Sequence, residues 1–309
     1  MNVLLIGLSI VITGGVAAWA LRKSSALSAA VGAASAAIGS SAALVASAGV
    51  LVSGVPARLD ATWPLPMASF ALEVDPLSAL FLCAIFGLSI LSAVYGWEYL
   101  RCPDGAASAH RDRCTWHWFC LLVASMALVL MARNAIFFLM AWEIMSLSSF
   151  FLVAFDNERE EVRHAAWTYL VATHLGTALL LVMFVLVGTQ TGSFDFAQWG
   201  SLKNAGASFL GIVFVLGLIG FGVKAGMYPV HVWLPEAHPA APSHVSALMS
   251  GVMIKTGIYA MIRLWSMLGT PEPWWGWMVL GIGVASGIMG VVFALAQHDI
   301  KRLLAYHSV

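Results

Sequence analysis

Long apolar runs dominate this sequence and leave few alternatives for its fold. Nine of them can be counted, at roughly 3–21, 26–53, 76–98, 115–132, 134–155, 165–189, 207–230, 244–268 and 274–296. Each reaches or approaches the ~20 residues that an α-helix needs to cross a bilayer. Only 10% of the residues are charged, whereas a soluble domain carries about 25%. The sequence therefore predicts an all-α, polytopic membrane helix bundle of about nine to ten transmembrane helices, the tenth beginning near Lys301.

The distribution of positive charge predicts the orientation of these spans. The first run is followed, not preceded, by Arg22 and Lys23, so we expect a retained span and not a cleaved signal peptide. With the N-terminus outside, the cytoplasmic connections hold Arg22, Lys23, Arg101, Arg111, Arg113, Arg159, Arg163, Lys301 and Arg302, and the external ones hold Arg58, Arg133 and Lys203. Lysine and arginine favour cytoplasmic loops. We therefore predict an external N-terminus, a cytoplasmic loop at 101–113 and an external stretch at 55–73 that follows the membrane interface.

Residues 217–263, GLIGFGVKAGMYPVHVWLPEAHPAAPSHVSALMSGVMIKTGIYAMIR, predict two membrane helices separated by a break. Each helix carries a lysine, Lys224 or Lys255, and four prolines fall between them. Because proline blocks the carbonyl four residues back, Pro229 is expected to free the carbonyl of Ala225. Charge beside broken backbone at membrane depth is typical of ion pathways. The alternative is that the lysines reach the interface, which is easier for Lys224 than for Lys255 in the middle of its run.

Glu143 lies near the centre of the fifth run, where a carboxylate costs a few kcal/mol to insert. Glu143 therefore needs either an oppositely charged partner or a bound proton that makes it neutral. One interpretation is a protonated glutamate hydrogen-bonded between helices. The other is a couple with Lys224, because a nearby opposite charge favours the charged form of a lysine and its absence favours the neutral form. In that case a shift of the carboxylate loads or releases a proton, and Lys255 accepts the proton and passes it on.

Histidines and cysteines add weaker signals. His174 shares a polar stripe with Thr173 and Thr177, which fits either a proton relay or a structurally satisfied side chain. Three more histidines flank the break and could line a water path, although a plain structural role is favoured for the first: His231, His238 and His244. The four cysteines have no metal-ligand spacing, and nine histidines make chance haem-ligand pairs unremarkable. We expect no metal site and no cofactor in this chain.

Three segments together resemble the antiporter-like membrane subunits shared by respiratory complex I, Mrp-type cation antiporters and membrane-bound hydrogenases. They are KAGMYPVHVWLPEAHPAAPSHVSALMSGVMIKTGIY, MAWEIMSLSSFFLV and QHDIKRLLAYHSV. The resemblance covers the chain from about Leu72 and is closest to the large membrane subunits of hydrogenase-4 and formate hydrogenlyase. It implies two inverted five-helix repeats, each with a broken helix. Residues 1–114 then form an N-terminal three-helix segment, 115–268 the first repeat, and 269–309 the start of the second.

The resemblance also assigns residues. It implies that Glu143 is the helix-five glutamate, Lys224 the broken-helix lysine and Lys255 the helix-eight lysine of a proton path, with His174 and His238 as supporting members. The family runs to about fourteen helices, so the second broken helix and its ionisable residue are missing from the sequence. We therefore expect this chain to be a truncated form: a fragment, a split gene product completed by a neighbour, or an incomplete record of a longer subunit.

The function expected from these features is proton translocation, or sodium translocation, by a membrane subunit of an energy-converting oxidoreductase complex of the hydrogenase or formate hydrogenlyase type. Its expected partners are other membrane subunits, peripheral iron–sulfur and nickel–iron hydrogenase subunits and the lipid bilayer, with no nucleic acid. The expected location is the inner membrane of a bacterial or archaeal cell. Three alternatives are a cation/proton antiporter subunit without a redox partner, a complex I membrane-arm subunit and a non-conducting membrane anchor. A quinone or haem enzyme is disfavoured because no ligand set is present.

Overall fold

A computed structural model describes residues 1–61, 63–64, 68–100 and 114–309. In this part of the chain the helices are α1 (Asn2–Ala20), α2 (Ser25–Ser53), α3 (Pro76–Tyr99), α4 (Thr115–Met131), α5 (Ala135–Val153), α6 (Glu160–Thr191), α7 (Ala207–Ala225), α8 (Leu234–Ala240), α9 (Ser243–Leu248), α10 (Ile254–Leu268), α11 (Pro273–Leu295) and α12 (Ile300–Ser308). Eight spans are long and apolar enough to cross a membrane, with α9 and α10 counted as one continuous span, and α4 is a shorter apolar helix. The predicted all-helical membrane bundle is confirmed, whereas the predicted loop at 101–113 lies outside the described residues.

Small residues let the first two helices come into backbone contact. A Cβ atom added to Gly7 of α1 would lie 2.6 Å from the carbonyl oxygen of Gly39 in α2, and one added to Gly39 would lie 2.5 Å from the carbonyl oxygen of Gly7. Membrane helices associate largely through such close packing, because lipid gives no hydrophobic driving force between them. The glycine and alanine content of α2 therefore fixes the N-terminal helices against each other and against α3 and α4.

An antiparallel hairpin, which we did not predict, occupies part of the stretch between α2 and α3. Strand β1 (Ala57–Ala61) pairs with β2 (Phe70–Val74), with Arg58 opposite Glu73 and Leu59 opposite Leu72. Leu72 is fully buried and forms an isolated bridge with Ala132, directly after α4. The hairpin thus closes one end of the bundle over the connection between α4 and α5.

The same end of the bundle is fastened by ion pairs around Asp75, the N-cap residue of α3. Arg263 of α10 donates two hydrogen bonds to its carboxylate, at 2.7 and 2.8 Å, and Arg133 lies 3.2 Å away. Burial alone would raise the pKa of Asp75, but the bonds from Arg263 and from the backbone N–H of Ser78 outweigh it and hold this pKa well below its ordinary value. Asp75 therefore ties α10 to α3 as an ionised carboxylate.

Replacing Asp75 by Asn is expected to lower the thermal unfolding midpoint of the purified protein. The change leaves the Arg263 guanidinium, 15% exposed, without its counter-charge. This should lower the free energy of unfolding by on the order of 3 kcal/mol. Because the folded pKa is depressed, the stabilisation is complete above the unfolded pKa of about 3.9 and declines as the pH falls below it. The difference between Asp75→Asn and wild type should therefore shrink in acid. Asp60→Asn, which breaks an exposed pair with Arg58, is the control, and an equal effect of both changes would contradict the assignment.

The predicted break is present, but proline does not end α7. The helix stops at Ala225, and Gly226 follows with a left-handed φ of 73°. Pro229 lies beyond this end, so it does not interrupt a continuing helix as predicted. The indole N–H of Trp233 instead donates a 2.7 Å hydrogen bond to the carbonyl of Val223. The chain then forms the short α8 and α9, a π-helical turn over Met249–Met253, and α10.

Candidate functional site

Lys224 is buried in the centre of the helix bundle. It is the last residue but one of α7, and only 1% of it is exposed. Its Nζ donates hydrogen bonds to Ser146 Oγ of α5 at 2.9 Å and to the Tyr169 hydroxyl of α6 at 3.0 Å. The ring centroids of Trp142 and Tyr169 lie 5.7 and 5.3 Å from the same nitrogen, within the range of cation–π attraction. The alternative in which Lys224 reaches the membrane interface is not what the structure shows.

The hydroxyl groups that hold Lys224 form a connected set that our sequence reasoning missed. Ser149 Oγ and the Tyr169 hydroxyl are hydrogen-bonded to each other, and Ser146 Oγ donates to the carbonyl of Trp142 at 3.0 Å. A signal was present in the sequence, because Glu143, Ser146 and Ser149 recur every third residue. That spacing places them on one face of α5. Only the carboxylate of this stripe was predicted to be functional.

Glu143 contacts His174 of α6, while its predicted partner Lys224 lies beyond ion-pair distance, within reach of its charge. Its Oε2 lies 3.3 Å from His174 Nε2, and the two side chains are 29% and 48% exposed. Among the described residues, no carboxylate oxygen lies within 4.0 Å of the Lys224 ammonium. Ser146, which does contact Lys224, lies one helical turn from Glu143. The two charged groups are therefore not in contact, and the Lys224 ammonium is held by hydroxyl groups.

The Glu143–His174 contact has room for one hydrogen bond between the two side chains. His174 Nδ1 lies 2.9 Å from the carbonyl oxygen of Leu170, and a carbonyl only accepts, so Nδ1 carries a hydrogen. Nε2 and Oε2 can then form a hydrogen bond only if a further proton is present on one of them. The other carboxylate oxygen of Glu143 is buried without a hydrogen-bond partner among the described residues. Glu143 thus has one oxygen in contact with His174 and one buried oxygen on the face of α5 that also carries Ser146.

Lys255 lies in a different environment, beside the π-helical turn. Its Nζ donates a 2.6 Å hydrogen bond to the carbonyl of Ser250, and the residue is half-buried. A π-turn widens the helix, and such turns occur frequently at functional sites. The hydroxyl of Ser250 pairs at 2.6 Å with that of Ser308 at the end of α12. Lys255 is therefore oriented toward α12 and away from the hydroxyl groups around Lys224.

His238 belongs to the same second group. It is buried on α8, its Nδ1 lies 2.8 Å from Ser246 Oγ, and its Nε2 has no partner in the described part of the chain. The Lys255 and Lys301 ammonium groups both act electrostatically on this imidazole. The predicted residues thus fall into two groups: Glu143, His174 and Lys224 on α5, α6 and α7, and His238 and Lys255 on α8 and α10.

The two groups are held in register by backbone contact between α7 and α10. A Cβ atom added to Gly257 would lie 2.7 Å from the carbonyl oxygen of Phe221 and 2.9 Å from the amide nitrogen of Ala225, which follows Lys224. Thr256 Oγ1 donates to Met145 Sδ at 3.7 Å and so ties α10 to α5 as well. Lys224 and Lys255 are therefore carried by helices that cannot separate or slide freely.

Replacing Gly257 by Ala is expected to prevent normal assembly. The added methyl group meets backbone atoms of α7 and cannot be accommodated by a rotamer change. Overpacking should therefore lower the free energy of unfolding by at least roughly 1–3 kcal/mol. The measurement is the amount of folded protein and its unfolding midpoint in mild detergent. Gly281→Ala on α11 is the matched control, because its added Cβ has no atom within 4 Å. A normal yield of Gly257→Ala would show that α7 and α10 can move apart.

These features define a multi-pass membrane protein in which a broken helix places a buried lysine among polar groups of neighbouring helices. The chain belongs to the NADH:quinone oxidoreductase/Mrp antiporter transmembrane family, whose profile matches residues 132–309. The sequence resemblance to this family is confirmed. The chain is thus an antiporter-like membrane subunit of the group that includes complex I, Mrp antiporters and membrane-bound hydrogenases.

Individual relatives extend this result. The chain is 40% identical to hydrogenase-4 component B of Escherichia coli over 80% of its own length and 36% of that protein. It is 29% identical to formate hydrogenlyase subunit 3 of the same organism, over 79% of the chain and 38% of the relative. A probable K(+)/H(+) antiporter subunit of Rhizobium meliloti is 32% identical over 78% of the chain and 24% of that protein. The match therefore spans 24–38% of the length of these curated relatives.

A solved structure shows the same fold. A chain of the membrane-bound sulfane sulfur reductase, an archaeal respiratory membrane complex, superposes with a TM-score of 0.84 at 26% identity. The alignment covers 98% of this chain and 49% of the solved one. All the described transmembrane helices thus correspond to about half of a larger membrane subunit.

Proposed function

We propose that this chain is a proton-translocating membrane subunit of an energy-converting oxidoreductase complex of the hydrogenase or formate hydrogenlyase type. The observation that carries the proposal is Lys224, which is fully buried and held by hydroxyl groups, with no carboxylate of the described residues in contact. An ionisable group in this position is costly for a membrane protein and is usually retained for transport. The identity to hydrogenase-4 component B supports the hydrogenase type.

The arrangement supports a stepwise proton path. The Glu143–His174 pair would hold the proton, and Ser146, one helical turn from Glu143, is hydrogen-bonded to Lys224. Lysine suits the next step because its proton affinity responds strongly to burial and to neighbouring charge. Lys255 would receive the proton next, since α7 and α10 are in backbone contact, and His238 would support it. We propose that α4 to α10 form the first repeat of the family fold and that α11 and α12 begin the second.

The driving force would come from partner subunits. In this proposal electrons pass through peripheral iron–sulfur and nickel–iron subunits, and this chain holds no redox cofactor. Glu143 and His174 lie on a partly exposed side of the bundle, next to the exposed Ile144 and Leu147. A neighbouring membrane subunit placed there would bring charge close to the pair and change where its proton resides.

The test is proton uptake by inverted membrane vesicles that contain the native assembly. Hydrogen or formate is supplied as electron donor, and the subunits of the purified assembly are identified by mass spectrometry. We expect donor-dependent proton uptake that an uncoupler abolishes, together with nickel–iron and iron–sulfur subunits in the purified complex. Electron transfer without any proton uptake would leave the chain a non-conducting membrane anchor and contradict the proposal.

A cation/proton antiporter subunit is the second candidate, favoured by the identity to the Rhizobium meliloti antiporter protein. It differs from the first in needing no electron donor. In vesicles without hydrogen or formate, an antiporter should release protons when potassium or sodium is added across a preformed pH gradient. The first candidate predicts no such release.

A further inference from the structure

The side chain of Trp233 closes the end of α7 from inside the bundle. Trp233 is fully buried and is the N-cap residue of α8, where its backbone carbonyl accepts a 2.9 Å hydrogen bond from the amide of Ala237. The last carbonyl groups of a helix have no full set of partners within that helix. At the end of α7 the Val223 carbonyl accepts the indole N–H of Trp233 at 2.7 Å, whereas the amide of Gly226 lies farther away, at 3.3 Å. The indole is therefore the closer partner of the carbonyl that directly precedes Lys224.

The same indole ring also packs against a residue that binds the Lys224 ammonium. Its centroid lies 5.0 Å from that of the Tyr169 ring, and the two planes meet at 67°, an edge-to-face arrangement that aromatic pairs favour. The Tyr169 hydroxyl in turn accepts the hydrogen bond from Lys224 Nζ at 3.0 Å. Trp233 therefore contacts the surroundings of Lys224 twice, at the backbone where the lysine begins and at the ring whose hydroxyl holds its ammonium.

These contacts form a closed loop around Lys224. The loop runs from the Trp233 indole to the Val223 carbonyl, along the chain to Lys224, from its Nζ to Tyr169 and back to the indole. The indole is one rigid plane, so no rotatable bond separates its N–H group from the ring that packs on Tyr169. Phenylalanine at position 233 could keep the ring contact but could not donate to the carbonyl. The two contacts together therefore fix the end of α7 relative to Tyr169.

We propose that Trp233 is a positioning residue, which sets the distance between the Lys224 ammonium and the Tyr169 hydroxyl and so prepares Lys224 to receive a proton. The inference rests on the proposed function and names a residue that this function requires. Trp233 acts through the end of α7 and through Tyr169. Because Trp233 also begins α8, which carries His238, a shift of α8 would reach Lys224 through the same ring. A displacement of about 1 Å at a reacting group can lower a rate on the order of 100-fold.

The test measures protons taken up per electron transferred in inverted vesicles that carry the full assembly, with hydrogen or formate as donor. Trp233→Phe keeps an aromatic ring against Tyr169 and removes the N–H group. We expect the ratio to fall at least about tenfold, within the loss that such a displacement can cause, while the assembly forms in normal yield. Trp199→Phe is the matched control and should show full uptake. Trp199 is also buried, and its indole donates to the Ser193 carbonyl at 3.0 Å, in the 3-10 helix before α7.

Two tryptophan analogues distinguish positioning from space filling. Both are introduced at position 233 by stop-codon suppression. Benzothienylalanine has the shape of tryptophan but carries sulfur in place of the N–H group, and it should lower the ratio as Trp233→Phe does. Fluorotryptophan keeps the N–H group and should retain full uptake. If Trp233→Phe fails to assemble, benzothienylalanine decides, because it fills the same space as the native side chain.

Four outcomes would overturn the inference. Full uptake with benzothienylalanine would show that the N–H group has no role, and an equal loss with both analogues would show that only exact packing matters. Equal losses in Trp233→Phe and Trp199→Phe would mean that removing any buried indole is enough. Full uptake in Trp233→Phe, with loss of uptake in Lys224→Met, would refute the positioning role and leave the proposed function standing. Full uptake in Lys224→Met as well would refute both.

Discussion

Lys224→Met is expected to abolish proton uptake while the assembly still forms. Methionine matches the length of the lysine stem and lacks only the ammonium group. The variant therefore has no group at this position that can receive a proton. The polar groups left behind keep other partners: Ser146 still donates to the carbonyl of Trp142, and the Tyr169 hydroxyl still bonds to Ser149. The methionine side chain therefore fills the space around position 224, and the neighbouring hydroxyl groups stay hydrogen-bonded. The fold should tolerate the change. The measurement is donor-dependent proton uptake per electron in inverted vesicles.

The matched control for this result is Lys203→Met. Lys203 lies in an exposed 3-10 helix before α7, so that its loss changes the overall charge equally and leaves the bundle interior intact. We expect full uptake in this control. If Lys224→Met also showed full uptake in an intact assembly, the buried ammonium would have no part in transport and the proposed function would be wrong.

Glu143→Gln is expected to lower proton uptake at least about tenfold, since groups that transfer protons commonly contribute more than this. Glutamine has nearly the same shape and can still hydrogen-bond to His174, but unlike a carboxylate it cannot take up a proton. Because the pair is only partly buried, with 29% of the Glu143 side chain exposed, the change should cost little stability. A loss of proton uptake in this variant can therefore be attributed to proton transfer and not to misfolding, more clearly than a loss caused by a change at a fully buried site.

Glu161→Gln provides the control for this variant. Glu161 is 86% exposed in the first turn of α6 and pairs with Arg159, so the change removes an equal charge far from the interior. Normal uptake is expected there. Equal losses in Glu143→Gln and Glu161→Gln would point to a general effect of surface charge and would contradict a specific role for the Glu143–His174 pair.

The spans could be predicted from the sequence because lipid leaves little choice. A segment of ~20 apolar residues must satisfy its own backbone hydrogen bonds, and only a helix does so within one segment. The predicted run at 165–189, for example, became α6, which also extends through polar residues from Glu160. The hairpin of Ala57–Ala61 and Phe70–Val74 was not predictable in this way, since its strands are only five residues long and the segment between them has no Asn-Gly or Asp-Gly pair, the usual signal of a hairpin turn.

The site was predictable in its ionisable residues but not in their pairing. The free-energy cost of placing a charged side chain in the bilayer singled out Glu143 and Lys224, because charges in apolar runs are rare. Which of them touch depends on how α5, α6 and α7 are rotated about their axes, and a single sequence does not contain that angle. Tyr169 and Ser149 were missed for a related reason, since a hydroxyl in a membrane helix often bonds only to its own backbone. The π-turn beside Lys255 has no local sequence signal either.

The π-turn divides the span formed by α9 and α10 into two parts that are held by different contacts. At one end Arg263 is locked to Asp75 by two charge-assisted hydrogen bonds, and in the middle Gly257 is pressed against the backbone of α7. At the other end, Met249–Met253 holds one residue more per turn than an α-helix. Drawing that residue into regular α-helix would turn the segment on one side of it by about 100°. Since Arg263 and Gly257 fix the part of the span that carries Lys255, the extra residue in the π-turn lets α9 take a different rotation about the helix axis, with His244 packed against Trp116 of α4.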